Sequence, residues 1–109
     1  MEFRLIYTTA ASAEEARRIG RRLVENGLAA CVNIFPGMNS LYQWEGKLQE
    51  DAEVAMICKT TADRAAQAMD AVREAHSYDC PCMLSIPVVD GNPAFLDWIA
   101  EQVRALNDA

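Results

Sequence analysis

The strongest constraint on the fold is a pair of long extended runs that meet at Glu45-Gly46. The first run covers 28–35, is interrupted by Pro36-Gly37, and resumes over Ser40-Leu41-Tyr42-Gln43-Trp44. The second covers roughly 47–60 and ends Glu53-Val54-Ala55-Met56-Ile57-Cys58-Lys59-Thr60. Apolar, β-branched and aromatic residues at this density read as strands, and Glu45-Gly46 reads as the hairpin turn between them. The chain has 109 residues, enough for one domain over 1–109 with one hydrophobic core. Strands this long outgrow what such a core covers. Part of the hairpin is therefore expected to project, or to pair with another chain.

The rest of the chain alternates strand and helix. Residues 3–9, rich in aromatic and β-branched types, read as a strand. Ser12 and Glu15 have capping-box spacing, each side chain meeting the other's free backbone donor. Behind them Ala16, Ile19, Leu23 and Val24 recur at helical spacing, with Arg17, Arg18, Arg21 and Arg22 on the other face; Asn26-Gly27 closes a helix over 13–26. Thr61 can cap a second helix over about 62–75, with Ala65, Met69, Val72 and then His76 on its apolar face. Residues 77–81 are a loop, 82–89 a short strand whose Pro87 places its end at a sheet edge, and Asn92-Pro93 opens a third helix over roughly 93–106. Phe95, Trp98, Ile99, Val103 and Leu106 mark its apolar side. The order β-α-β-β-α-β-α is that of a ferredoxin-like α+β fold, two split β-α-β units with an added C-terminal helix. That fold hosts many functions and names none.

Sixteen acidic against ten basic residues give a net charge of −6. Such a surface repels phosphate backbones and anionic lipid, so nucleic acid and membrane surfaces are poor partners. No apolar run approaches the roughly 20 residues of a membrane span. The opening Met1-Glu2-Phe3-Arg4-Leu5 is not a basic segment followed by an apolar one, which points to a cytoplasmic protein with reduced thiols at Cys31, Cys58, Cys80 and Cys82.

No phosphate loop, nucleophile elbow or HExxH motif is present, and one histidine serves the whole chain. His76 ends a helix, where a partial positive charge suits the dipole. It also heads a cluster with Tyr78, Asp79, Cys80 and Cys82, and imidazole with thiolate suits copper or zinc. Cys80-Pro81-Cys82 reads either as a loop cysteine followed by a strand cysteine or as a soft-metal donor. Tyr42, Trp44 and Tyr78 suit packing between subunits or the wall of a small-ligand cleft. Glu53 and Lys59, at the two ends of an apolar strand, are solvated or line a seam between chains.

Five segments together resemble a known family. These are Leu28-Ala29-Ala30-Cys31-Val32-Asn33-Ile34, Ser40 to Lys47 read as S-x-Y-x-W-x-G-K, Glu53 with Lys59-Thr60, His76-Ser77-Tyr78-Asp79-Cys80-Pro81, and Phe95-Leu96-Asp97-Trp98-Ile99. They are similar to the CutA divalent-cation tolerance family from about residue 3 to 106. The resemblance implies a homotrimer whose long hairpin strands pair between subunits, in a cytosolic protein linked to tolerance of copper and other divalent metals. Cys31 matches a cysteine implicated in copper binding. Trp44, Glu53, Lys59, His76 and Tyr78 match residues lining clefts between subunits. Ser77, Asp79 and Cys82 depart from the family's proline, glutamate and glutamate, and a thiol at 82 shifts any site there toward softer metals. The first functional expectation is thus a non-enzymatic trimer binding copper or other divalent ions, with metal contacts at Cys31, His76 and Cys82. The second is a PII-like trimer holding an anionic small molecule among Trp44, Glu53, Lys59 and Tyr78. Lys59 discriminates them, because a cation site has no use for it.

Overall fold

The computed structural model describes the backbone of residues 1–107 and the side chains of residues 1–103. The elements are β1 (Phe3–Ala10), α1 (Ala13–Glu25), β2 (Cys31–Trp44), β3 (Lys47–Thr61), α2 (Ala65–Ala75, entered through a single 3-10 turn at Ala62–Arg64), β4 (Met83–Val88) and α3 (Pro93–Asn107). The four strands form one sheet in the order β2-β3-β1-β4, and every adjacent pair is antiparallel. This is the split β-α-β topology expected from the element order.

The pleat decides which side chains enter the core. Register pairs Ile6 with Cys58, Thr8 with Met56 and Ala10 with Val54. These residues share one face of the sheet and are buried there beneath Ala16, Ile19 and Leu23 of α1 and Ala68 and Val72 of α2. Gly20 lets α1 lie close to β2, since a Cβ there would stand 3.2 Å from Val32 Cγ1. The other face carries Leu5, Tyr7, Ile57 and Lys59, and α3 packs on β3 with Ile99, Ala100 and Val103 buried. Lys59 Nζ stands 5.3 Å from the centre of the Phe95 ring, which places α3 over the Lys59 end of this second face. Beyond α3 the second face keeps Phe35, Leu84 and Ile86 exposed.

The hairpin projects as its length requires. Only Val54–Thr61 of β3 pairs with β1; from Lys47 to Glu53 its sole strand partner among the described residues is β2. The molecule is accordingly elongated, 46 × 26 × 21 Å.

Besides one-residue shifts at other element ends, four features differ from the sequence reading, each for a local reason. The amides of Leu28 and Ala29 turn back onto Leu23 O to finish α1, so β2 starts at Cys31. Pro36-Gly37 does not break the strand but forms a bulge inside it. Thr61 does not cap α2: its hydroxyl donates to the Asp63 carboxylate instead of accepting a backbone amide, a 3-10 turn follows, and the position before the α-helix is Arg64. Cys82 precedes β4, which begins at Met83. The apolar position Leu106 lies outside the residues whose side chains are described.

Met56 is fully buried between the sheet and helices α1 and α2. Met56→Ala is expected to cost about 2–5 kcal/mol through lost burial and the cavity left behind. Urea unfolding should show a lower midpoint with an unchanged slope.

Candidate functional site

The bulge sets the chemistry of the arm. Before it, Cys31, Asn33 and Phe35 pair with Lys59, Ile57 and Ala55 and so lie on the second face. Past it, Met38 pairs with Glu53, Ser40 with Asp51, Tyr42 with Gln49 and Trp44 with Lys47. One extra residue on β2 has switched the parity, so the even-numbered residues now share the face that the odd-numbered ones held. Gly37, at φ +80°, takes the left-handed conformation the bulge requires. Tyr42 and Trp44 are thereby turned over the same face as Asp51 and Glu53.

A cavity of about 590 Å³ opens there, lined by Thr9, Tyr42, Trp44, Gln49, Asp51, Glu53, Tyr78, Cys80 and Cys82. Tyr42 donates its hydroxyl to Asp51, and Tyr78 donates its own to Glu53 Oε2 at 3.0 Å. Each carboxylate is thus held by one phenol and keeps further acceptor capacity for a ligand. Both phenols stay protonated more firmly than usual. Tyr78 is pushed up to about 12 by burial first, then by the Glu53 hydrogen bond and charge.

The segment that brings Tyr78, Cys80 and Cys82 to the cavity is fixed from behind by the start of α1. Ser12 Oγ accepts the Glu15 amide at 3.1 Å, as a capping residue should. The Glu15 carboxylate, however, turns away from Ser12. It accepts Ala11 N–H at 3.1 Å and, across the fold, Ser77 N–H at 2.9 Å. His76 completes the tie. Its Nε2 lies 2.6 Å from Thr9 O and its Nδ1 accepts the Tyr78 amide at 3.0 Å. A carbonyl can only accept, so Nε2 carries the proton and both ring nitrogens are engaged. The Tyr78 ring lies 4.7 Å from the imidazole, tilted against it.

The structure brings together four of the residues expected from sequence, Trp44, Glu53, Tyr78 and Cys82, with His76 directly behind them. It does not bring Cys31 or Lys59 to the cavity. Cys31 pairs with Lys59 toward the far end of β2, one position along from buried Cys58. Burial pushes the Cys58 thiol up to about 12, and the charge of Cys31 adds to this. The Cys82 thiol is also raised, by burial and then by Glu53. All four cysteines are free. Among the described residues no three His, Cys, Asp or Glu side chains converge as a ready-made metal cluster. Sequence reasoning missed Asp51 and the second role of Glu15. Asp51 was findable from the strand alternation that puts it on the face of Glu53, whereas the Glu15–Ser77 contact spans 62 residues and carries no local signal.

Comparison with known proteins decides the family. The family described as CutA1 divalent ion tolerance protein matches residues 4–102. The chain belongs to this family. A divalent-cation tolerance protein CutA of Archaeoglobus fulgidus is 52% identical over 99 residues, 91% of this chain and 96% of its own length. Its counterpart from Thermus thermophilus is 40% identical over 97 residues, 89% of this chain and 94% of its own. The solved structure described as the periplasmic divalent cation tolerance protein CutA from Archaeoglobus fulgidus superposes with a TM-score of 0.89 at 50% identity, covering 93% of this chain and 98% of that one. CutA names describe a tolerance, not a reaction. No helix among the described residues of this CutA-family chain is long and apolar enough to cross a membrane.

Glu15 gives the anchored loop a pH signature. Burial raises its carboxyl, but hydrogen bonds from Ser77 and Ala11 outweigh that, and it titrates below the usual 4.5. The ionised form is therefore the one the fold favours. Its stabilisation is complete above the unfolded value and fades as pH falls through the lower folded one. Glu15→Gln should lower the unfolding free energy by about 1–3 kcal/mol at neutral pH. Thermal unfolding against pH should show the gap from the parent closing in acid, below the usual carboxylate range.

Proposed function

We propose that the chain acts as a cytoplasmic homotrimer that binds copper or other divalent and soft metal ions without catalysing a reaction, and that this binding is its part in divalent-cation tolerance. The observation that carries the reading is the cavity itself, where two carboxylates, Asp51 and Glu53, face two exposed thiols, Cys80 and Cys82. Hard and soft donors on one wall suit a borderline ion. An arriving ion would displace the proton of the Cys82 thiol and draw Glu53 from the Tyr78 hydroxyl. His76 would join by giving up its bond to Thr9 O or to the Tyr78 amide. Cys31, next to Cys58, would form a separate contact.

The trimer is supported by what the protomer leaves uncovered. Phe35, Leu84 and Ile86 are about half exposed on the second sheet face, and the hairpin arm beyond β1 is paired on one side only. A sister chain would bury the first and pair the second. An anionic ligand at the cavity is not favoured. Lys59 is directed to Phe95 instead, and the described lining has two carboxylates and neither lysine nor arginine.

Calorimetry with zinc, and with copper under reducing conditions, should give saturable heat that strengthens as pH rises, because binding releases a thiol proton. The Cys80→Ser/Cys82→Ser double variant should weaken it by about tenfold or more. Unchanged binding in that variant would remove the thiols from the site. Sedimentation equilibrium should return three times the 12.1 kDa protomer mass. A lone protomer at micromolar concentration would overturn the assembly.

A further inference from the structure

We propose that the same cavity binds an organic cation, a primary amine or short diamine with an apolar body. This goes beyond the metal reading, because it uses the carboxylates and rings and has no need of the thiols.

Size is the first argument. About 590 Å³ is far more than a single ion fills and falls within the range of small-molecule sites. The walls are the second. Tyr42, Trp44 and Tyr78 present three aromatic rings to it. Aromatic faces attract ammonium groups within about 6 Å, most strongly for tryptophan. A hydrated divalent ion, which keeps its water shell, gains little from such walls.

Charge placement is the third argument. Asp51 and Glu53 stand two residues apart on one strand face, a separation of about 7 Å along β3. That is comparable with the span between the ammonium groups of a short diamine. Tyr42 and Tyr78 each hold one carboxylate in place and leave its remaining lone pairs free for N–H donors. Gln49 and Thr9 add polar atoms to the lining. With no lysine or arginine in the described lining, no cationic side chain there competes for the two carboxylates.

The test uses the full chain carrying Trp98→Phe, so that Trp44 is the remaining tryptophan and reports on the cavity. Diaminobutane should change its fluorescence saturably, and butylamine should do so more weakly. Butanediol, of the same length without charge, should give no saturable change. Asp51→Asn and Glu53→Gln should each weaken the diamine by about tenfold, the scale of one charge-assisted hydrogen bond, while circular dichroism stays unchanged. Cys80→Ser/Cys82→Ser should keep diamine binding within about twofold while weakening zinc by about tenfold or more, which separates this reading from the metal one. The proposal is overturned if neither amine saturates, if the diol binds as well as the diamine, if both carboxylate variants bind like the parent, or if the thiol variant loses the diamine.

Discussion

The register of β3 against β2 is the constraint on which everything else rests. Upstream of the bulge it sends Val32 and Ile34 toward the helices and Cys31, Asn33 and Phe35 to the other side. A strand that kept this alternation past Phe35 would aim Tyr42 and Trp44 away from Asp51 and Glu53. The extra residue at Pro36-Gly37 corrects the aim, at the cost of one left-handed glycine. A single backbone irregularity thus separates the structural half of the hairpin from the half that builds the cavity.

A second anchoring acts from the opposite end of the chain. The loop that carries Tyr78 and the two thiols is tied to the start of α1 through Glu15 and to β1 through His76. The carboxylate is buried and ionised, so it serves both as the helix's N-terminal acceptor and as the loop's clamp. The arm supplies acids and rings, the loop supplies a ring and thiols, and the sheet together with the Tyr78–Glu53 hydrogen bond holds the two in place. In a molecule of net charge −6, the acidic cavity adds a local attraction for cations to a general one.

Element types were legible in the sequence because their periodicities are local. The alternation in 3–9, the 3.6-residue recurrence of Ala16, Ile19 and Leu23, and Asn92 with Pro93 each declare themselves within a few positions. Pro36-Gly37 misled for the same reason. Inside an apolar run the dipeptide reads as a break, and only the partner strand reveals it as a bulge that keeps pairing on both sides. The candidate site was half legible. Trp44, Glu53, Tyr78 and Cys82 lie in recognisable segments and do meet, whereas Lys59 and Cys31 belong to the same strands but to the other end. Asp51 was hidden in the acidic run Glu50-Asp51-Ala52-Glu53, where only strand parity distinguishes the lining residues from the solvated one. The third helix was expected merely as an addition; its place over Lys59 follows from packing that no local pattern encodes.

The most direct test is nuclear Overhauser contacts across the hairpin in the assembled protein. The bulged register predicts cross-strand contacts of Met38 with Glu53 and of Tyr42 with Gln49. Contacts of Met38 with Ala52 and of Tyr42 with Leu48, the continuation of the register at Phe35, would mean that the strand runs unbulged and the cavity does not form.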